Sequence, residues 1–128
     1  SLKDSPLYAL SGGQRQRAFL SLALAQDAKT LLLDEPTTFL DLRYQIQFLD
    51  LLKTLNNEQE LSIITIIHDL NLAARYCDRI AVIKDGELLK IDKPREVLTQ
   101  EIMKQAFQIE TCQIETPVGL QICTIKSY

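Results

Sequence analysis

Glycine is scarce in this sequence of 128 residues, and its few positions exclude one kind of phosphate site. The glycines are Gly12, Gly13, Gly86 and Gly119, and none of them begins a G-x-x-x-x-G-K-[ST] loop. No apolar run approaches the ~18 residues of a membrane-spanning helix, and the start of the chain lacks a secretory signal pattern. The net charge of −3 comes without a basic block, which argues against a nucleic-acid-binding surface.

Cysteine is also sparse and shows no metal-binding spacing. Cys77, Cys112 and Cys123 are odd in number and far apart, and the sequence contains no C-x-x-C. This usage indicates a reducing, cytoplasmic compartment and neither a disulfide framework nor a zinc site. We therefore expect Cys112 and Cys123 to be free thiols.

The remaining composition is typical of a soluble globular protein of one domain. The predicted elements, in chain order, are a buried helix at 11–27, a buried strand at 30–34, an amphipathic helix that begins at Asp41 and ends at Asn56-Asn57, a buried strand at 61–67, a short helix at 70–76, a strand at 80–83 that turns at 85–86 into a strand at 88–91, a helix opened by Pro94, a helix that ends near Phe107, and a hairpin at 108–126. Alternation of strands and helices predicts right-handed crossovers and a mainly parallel sheet in an α/β fold.

The segment LSGGQRQR at residues 10–17 is the first candidate site. Ser11 can cap a helix whose first turn holds Gly12 and Gly13. Unsatisfied N–H groups and the positive end of the helix dipole favour an anion there, and glycine lets a phosphate approach the backbone. Gln14 adds a polar side chain at the edge of this candidate anion site. Taken alone, this segment is more typical of a plain helix cap.

Acidic residues follow the first predicted strand, and a histidine follows the second. Asp34 and Glu35 stand at the carboxyl end of a strand, where ligands bind in open α/β sheets. Adjacent residues at a strand end point to different sides, so that one carboxylate can serve a metal ion while the other reaches a water. Asp41 is a candidate helix cap, and His68 can donate from one ring nitrogen and accept at the other.

In this order and spacing, the motifs resemble the signature motif, Walker B motif, D-loop and H-loop of an ATP-binding-cassette (ABC) ATPase. The resemblance covers nearly the whole chain. It implies a single partial domain at residues 1–128, the C-terminal half of a P-loop NTPase (RecA-like) fold with flanking helices and a C-terminal β-hairpin. The strand that carries Walker A would be missing.

The resemblance also implies a role for each candidate residue. The ATP-binding candidates are Ser11, Gly12, Gly13, Gln14 and Asp41. The signature residues among them would cover the γ-phosphate of the ATP held by a partner subunit, and Asp41 would lie at the dimer interface. Asp34 would hold Mg²⁺, Glu35 would act as the general base, and His68 would contact the γ-phosphate and orient Glu35 with its water.

Residues 33–41 and 68–78 are most similar to ATPases that import iron(III)–siderophore complexes. This implies an ATP-hydrolysing subunit at the cytoplasmic face of the membrane that forms a homodimer. Its partners would be transmembrane permease subunits and a periplasmic or surface substrate-binding protein, with no nucleic acid. The alternatives are an importer of haem, cobalamin or another metal chelate, a DNA-repair or translation ABC protein, and an inert regulatory or binding module.

Three expectations concern the chain as it stands. It begins nine residues before the signature motif, so we expect a piece of a longer protein that is inactive alone. The missing strand should leave a slot lined by Ile64, Ile66 and Val82, and unpaired strand edges predict self-association.

The terminal hairpin is expected to turn at a three-residue loop, 117–119. This loop gathers Cys112, Ile114, Leu120 and Ile122 on one face. A two-residue loop would instead pair Cys112 with Cys123 and scatter the apolar side chains, because a shift by one residue exchanges the faces.

Overall fold

A computed structural model describes residues 6–128 of the chain. The chain divides into two compact units, Ser1–Ile67 and His68–Tyr128. Within the described residues, no helix has both the length and the apolar character needed to cross a membrane.

The elements follow the predicted alternation, and the α/β class is confirmed. After a short 3-10 turn at Leu7–Ala9, the elements are α1 (Gly12–Ala25), β1 (Thr30–Asp34), α2 (Leu42–Gln59), β2 (Ser62–Ile66), α3 (Leu70–Tyr76), β3 (Ile80–Lys84), β4 (Glu87–Asp92), α4 (Pro94–Val97), α5 (Gln100–Phe107), β5 (Ile109–Thr116) and β6 (Gly119–Ser127). The predicted mainly parallel sheet is wrong for the described strands: β1 and β2 pair in parallel, whereas β3 with β4 and β5 with β6 form antiparallel hairpins, because a short turn joins each of these two pairs.

The first unit contains α1, α2 and the parallel pair β1–β2. The pair runs in register from Thr30 opposite Ser62 to Asp34 opposite Ile66. The core face of α2 is buried as its periodicity predicts; its buried residues are Phe48, Leu49, Leu52 and Leu55. The predicted end of α2 at Asn56-Asn57 is wrong, because the helix continues to Gln59. The side-chain amide of Asn56 donates to Leu61 O at 2.9 Å.

The prediction that both strands of the first unit are buried is also wrong for one of their faces. Leu31 is buried, but Leu32 is 72% exposed and Ile64 is 62% exposed. Side chains alternate across a strand, so these residues share the face opposite to Leu31. Burial on both faces of a strand needs an element packed on each side, and apolar composition alone does not provide it.

The second unit has its own hydrophobic core and a tight hairpin. The core residues are Val82, Val97, Leu98, Met103, Leu120 and Ile122. Val82, expected to line an open slot, is therefore a core residue. The predicted turn at Asp85 and Gly86 is confirmed, with φ of 52° and 80°. Positive φ at both central residues matches the twist of the flanking strands, which explains the Asp-Gly preference.

The terminal hairpin is present, but its predicted register is wrong. Thr116 pairs with Gly119 across a two-residue turn, and Cys112 lies opposite Cys123. Leu120 and Ile122 are buried, whereas Ile114 is 46% exposed on the other face.

The inward face of β5 carries Gln113 in place of the expected apolar side chain. Its amide donates to Arg95 O at 3.1 Å and to Leu98 O at 3.0 Å. These bonds satisfy carbonyls at the end of α4, which makes an inward glutamine favourable.

Candidate functional site

The predicted helix cap at Ser11 is confirmed in the form of a capping box. Ser11 Oγ accepts from Gln14 N at 3.3 Å, and Gln14 Oε1 accepts from Ser11 N at 3.0 Å. Gln14 was predicted as part of an anion site, and here its side-chain oxygen also holds the cap. The N–H groups of Gly12 and Gly13 belong to the first turn and have no intrahelical acceptor. The exposed start of α1 therefore offers backbone donors at the positive end of the helix.

The start of α1 lies beside the segment that joins β1 to α2. A β-carbon on Gly12 would lie 3.6 Å from Leu40 Cδ2 and 4.0 Å from Phe39 O. A β-carbon on Gly13 would lie 3.6 Å from Tyr44 Cδ1. These are ordinary van der Waals distances, so the protein neighbours do not themselves require glycine. The signature segment and the predicted D-loop thus form one surface of the first unit.

The carboxylate pair stands at the end of β1 as predicted. Asp34 is the last residue of the strand, and both Asp34 and Glu35 are exposed. Glu35 has a φ of 46°, in the left-handed region that non-glycine residues seldom adopt. The hydroxyl of Thr38 donates to Glu35 Oε2 at 3.3 Å. A strained backbone conformation persists only where the surrounding structure holds it. Such conformations cluster at functional sites.

The segment between Glu35 and Asp41 is held by a residue that the sequence analysis missed. Gln45 on α2 donates from Nε2 to Thr37 O at 3.1 Å and to Leu40 O at 3.0 Å. Asp41 is the N-cap residue of α2, as predicted, but its side chain makes no capping hydrogen bond. The rigid connection of this loop to α2 therefore comes from Gln45 and not from Asp41. No local sequence signal identifies Gln45, because its partners depend on how the loop folds back on the helix.

His68 is the first residue of the second unit. It is exposed and lies between β2 and α3. The next residue, Asp69, caps α3 by accepting from Asn71 N at 2.8 Å and from Leu72 N at 2.9 Å. The other candidates, at 11–14, 34, 35 and 41, all belong to the first unit.

The candidate residues contain the donor type that a magnesium ion prefers. Asp34 and Glu35 offer carboxylate oxygens, and Mg²⁺ in proteins usually takes one or two carboxylates together with substrate phosphates and waters. Within residues 6–128, no group of three or more histidine, cysteine or acidic side chains could form a complete metal site. The residues present fit a metal that is shared with a phosphate ligand, as in nucleotide sites.

The chain is similar to known ATP-binding proteins of transporters. The model of the ABC transporter family matches residues 1–38. The chain is 49% identical over 122 residues to the petrobactin import ATP-binding protein FpuD of Bacillus anthracis, covering 94% of this chain and 44% of that protein. It is 48% identical to the iron(3+)-hydroxamate import ATP-binding protein FhuC of Bacillus subtilis (strain 168), covering 89% of this chain and 42% of that protein.

A solved structure shows the same fold. An ABC transporter of metal-chelate type in an inward-facing conformation matches with a TM-score of 0.83 and 28% identity, over 97% of this chain and 50% of that one. The chain spans less than half the length of the curated relatives named above. Sequence and fold agree on one assignment: the chain belongs to the ATP-binding domain family of ABC transporters and represents part of that domain.

Proposed function

We propose that the full-length protein is the ATP-hydrolysing subunit of an ABC importer for iron(III)–siderophore complexes. The observation that carries the proposal is the shared surface of the first unit, where the donor-rich start of α1 lies beside the loop that links Glu35 to Asp41. The names of the relatives support the substrate class, since they import petrobactin and iron(3+)-hydroxamate. The permease subunits, the substrate-binding protein and the position at the cytoplasmic face of the membrane are parts of the same proposal.

In this proposal, the start of α1 binds phosphate oxygens. Ser11 contributes a hydroxyl, and Gly12 and Gly13 contribute backbone N–H groups without a β-carbon in the way. The capping box fixes the direction of these donors before the nucleotide arrives, which lowers the ordering cost of binding. The ATP bound here is held mainly by a second copy of the protein. Asp41 then lies at the interface between the two copies.

The residues at the end of β1 carry out the chemistry. Glu35 accepts a proton from the attacking water as general base, and Asp34 binds a Mg²⁺ ion. When bound, the ion neutralises charge on the phosphate oxygens. His68 donates a hydrogen bond to the γ-phosphate, the role that the resemblance to ABC ATPases implies. Phosphoryl transfer depends mainly on positioning and charge stabilisation, so a fixed backbone at Glu35 suits this role.

The test of this function is the Glu35→Gln variant of the full-length protein. Removal of the base should lower kcat for ATP by about 10²–10⁴-fold while leaving ATP binding intact. Glu58→Gln, which changes an exposed glutamate on α2, is the matched control and should keep wild-type activity. Equal activity of the two variants would contradict the role of Glu35. Uptake of a labelled iron(III)–siderophore by cells without the gene, compared with haem and cobalamin uptake, tests the substrate class.

The chain of 128 residues alone should not hydrolyse ATP. It has no Walker A loop to hold the phosphates, and its carboxylates at residues 34 and 35 would repel a triphosphate. Incubation of the purified chain with Mg²⁺ and ATP checks this. Turnover that Glu35→Gln removes would show that the chain is active by itself.

A further inference from the structure

The register of the terminal hairpin brings two thiols together. Cys112 on β5 is the direct partner of Cys123 on β6. Both residues are exposed, and both are free thiols. Directly opposite residues of an antiparallel pair have Cα atoms about 4.5–5.5 Å apart and side chains on the same face. A solvent-accessible pair of neighbouring thiols therefore stands on the outer face of the hairpin.

The spacing of such a pair nearly satisfies the geometry of a disulfide. A disulfide needs Cα atoms about 4.4–6.8 Å apart and Cβ atoms about 3.5–4.5 Å apart. Opposite residues meet the first condition, but their Cβ atoms are about 4.5–5.5 Å apart, so the strands must shift by up to ~1 Å. A bulge at Ile125, two residues beyond Cys123, interrupts the ladder and allows such adjustment. A bond that needs this shift is strained, and strained, exposed disulfides are the easily reduced ones.

We propose that Cys112 and Cys123 form a reversible dithiol–disulfide site that reacts with low-molecular-weight disulfides. The thiolate of one cysteine attacks a sulfur of the small disulfide, which forms a mixed disulfide and releases one small thiolate. The thiolate of the other cysteine then attacks the bound protein sulfur and expels the second small thiolate. The protein pair loses two electrons, the small disulfide gains them, and the two thiol protons end on the two released thiols.

The second step is intramolecular, which determines the pattern of products. The opposed thiol is present at an effective concentration far above the millimolar level of a cellular thiol. The mixed disulfide should therefore be short-lived in the wild-type protein. A protein with one of the two thiols removed cannot complete the exchange and should keep the mixed disulfide.

The site also lies next to a connection within the second unit. Ile122, the neighbour of Cys123, accepts from Asn71 Nδ2 at 3.3 Å and donates from its N–H to Asn71 Oδ1 at 2.7 Å. These bonds join β6 to α3. A disulfide that tightens the hairpin should therefore slow amide exchange at Ile122, which gives a structural readout that does not depend on ATP hydrolysis.

The experiment equilibrates the purified full-length protein with graded ratios of reduced and oxidised glutathione, blocks free thiols, and identifies disulfides by peptide mass spectrometry. We expect a Cys112–Cys123 disulfide that excess glutathione reverses, with mixed disulfide at least about tenfold less abundant than in Cys112→Ser or Cys123→Ser. Cys77→Ser is the control and should leave the disulfide unchanged. Mixed disulfides that accumulate equally in wild-type and single-serine proteins, without a cross-link, would overturn the proposal.

Discussion

At the scale of single residues, side-chain amides take the place of backbone partners in this chain. Gln45 bonds two carbonyls of the loop after β1, Gln113 bonds two carbonyls around the end of α4, and Asn71 pairs with the backbone of Ile122. All these residues are partly buried. A buried carbonyl without a hydrogen bond costs free energy comparable to a lost hydrogen bond, so each amide stabilises the segment whose backbone groups it bonds.

The first prediction concerns Gln45→Met in the full-length protein, which keeps the side-chain volume and removes both donors. We expect the free energy of unfolding to fall by about 1–3 kcal/mol, because Leu40 O and Thr37 O both lose their hydrogen bond from Gln45. Amide exchange of Leu40 should become faster, since the turn bond of Leu40 N to Thr37 O, 3.1 Å long, loses its support. Chemical denaturation and hydrogen exchange measure the two effects.

Gln47→Met is the control for this prediction. Gln47 also lies on α2 and is partly buried, but its amide oxygen accepts only a long bond from Arg17 Nη2, at 3.4 Å. This change should cost less than about 0.5 kcal/mol, as is usual away from buried polar networks. If both glutamine variants lose the same stability, Gln45 does not brace the loop.

At this scale, some contacts of the candidate site could be predicted from the sequence and others could not. The cap at Ser11 was predictable, because a capping box is a local pattern of four residues. Gln45 was not predicted, because a glutamine on the polar side of an amphipathic helix normally faces solvent. Its partners are set by how the loop folds back on the helix, and that information is tertiary.

At the scale of elements, a cluster of charged and aromatic groups connects the two ends of the terminal hairpin. The hydroxyl of Tyr128 donates to Glu110 Oε2 at 3.0 Å, and Lys126 Nζ lies 3.2 Å from the same oxygen. The Tyr128 hydrogen bond, followed by that of Lys126, holds the pKa of Glu110 below its ordinary value. The same hydrogen bond to Glu110 raises the pKa of Tyr128.

The second prediction follows from the direction of these shifts. Because folding lowers the pKa of Glu110, its contribution to stability is present above the pKa of the unfolded state and is lost as pH falls through the folded pKa. Tyr128→Phe removes the main cause, so the pKa of Glu110 should rise toward its ordinary value. Carboxyl NMR titration measures this, with Tyr76→Phe as the control. An unchanged Glu110 titration would show that the tyrosine hydroxyl has no influence.

The two hairpins of the second unit show why one turn was predictable and the other was not. Asp85 and Gly86 both need positive φ, and few residue pairs supply it, so the sequence determines the turn. Pro117 and Val118 fit several turn types, so the register depends on which side chains are buried. The apolar pattern favoured a face with Ile114, whereas the structure buries Gln113 through its hydrogen bonds to α4. A count of apolar residues on each face cannot detect the stabilisation that these hydrogen bonds provide.

At the scale of the whole molecule, the chain exposes much apolar surface in each unit. Leu32 and Ile64 are exposed in the first unit, as are Ile83 and Leu88 in the second, where they are direct cross-strand partners. A cavity of about 290 Å³ lies beside α1 and β1 in the first unit, with mainly apolar side chains such as Phe19 around it. Contiguous apolar patches on soluble proteins mark surfaces that bind other protein surfaces.

The third prediction is that the isolated chain of 128 residues associates with itself. β2 pairs with a single strand among the described residues, and an open strand edge beside exposed apolar side chains favours pairing with another chain. Ile64→Lys with Ile83→Lys should reduce the association, and Lys53→Arg, which keeps the charge on α2, should not. Light scattering over a concentration series measures the mass. A wild-type chain that stays monomeric throughout would contradict this prediction.

The last prediction concerns the proposed assembly of two full-length copies. The proposal assigns the start of α1 and the end of β1 to different nucleotides, one held by the partner copy and one held by the same copy. If Ser11 acts on the partner's ATP while Glu35 acts on its own, a dimer of Ser11→Arg with Glu35→Gln has one intact site and one site with both defects. Each variant alone should be inactive. An equal mixture should recover up to about a quarter of the wild-type ATPase rate, because half of randomly mixed dimers are heterodimers and each keeps one of two sites.

Differently tagged subunits verify that heterodimers form, and a mixture of two tagged Glu35→Gln proteins is the control that should remain inactive. Heterodimers without activity would place Ser11 at its own subunit's nucleotide or show that the two sites must act together.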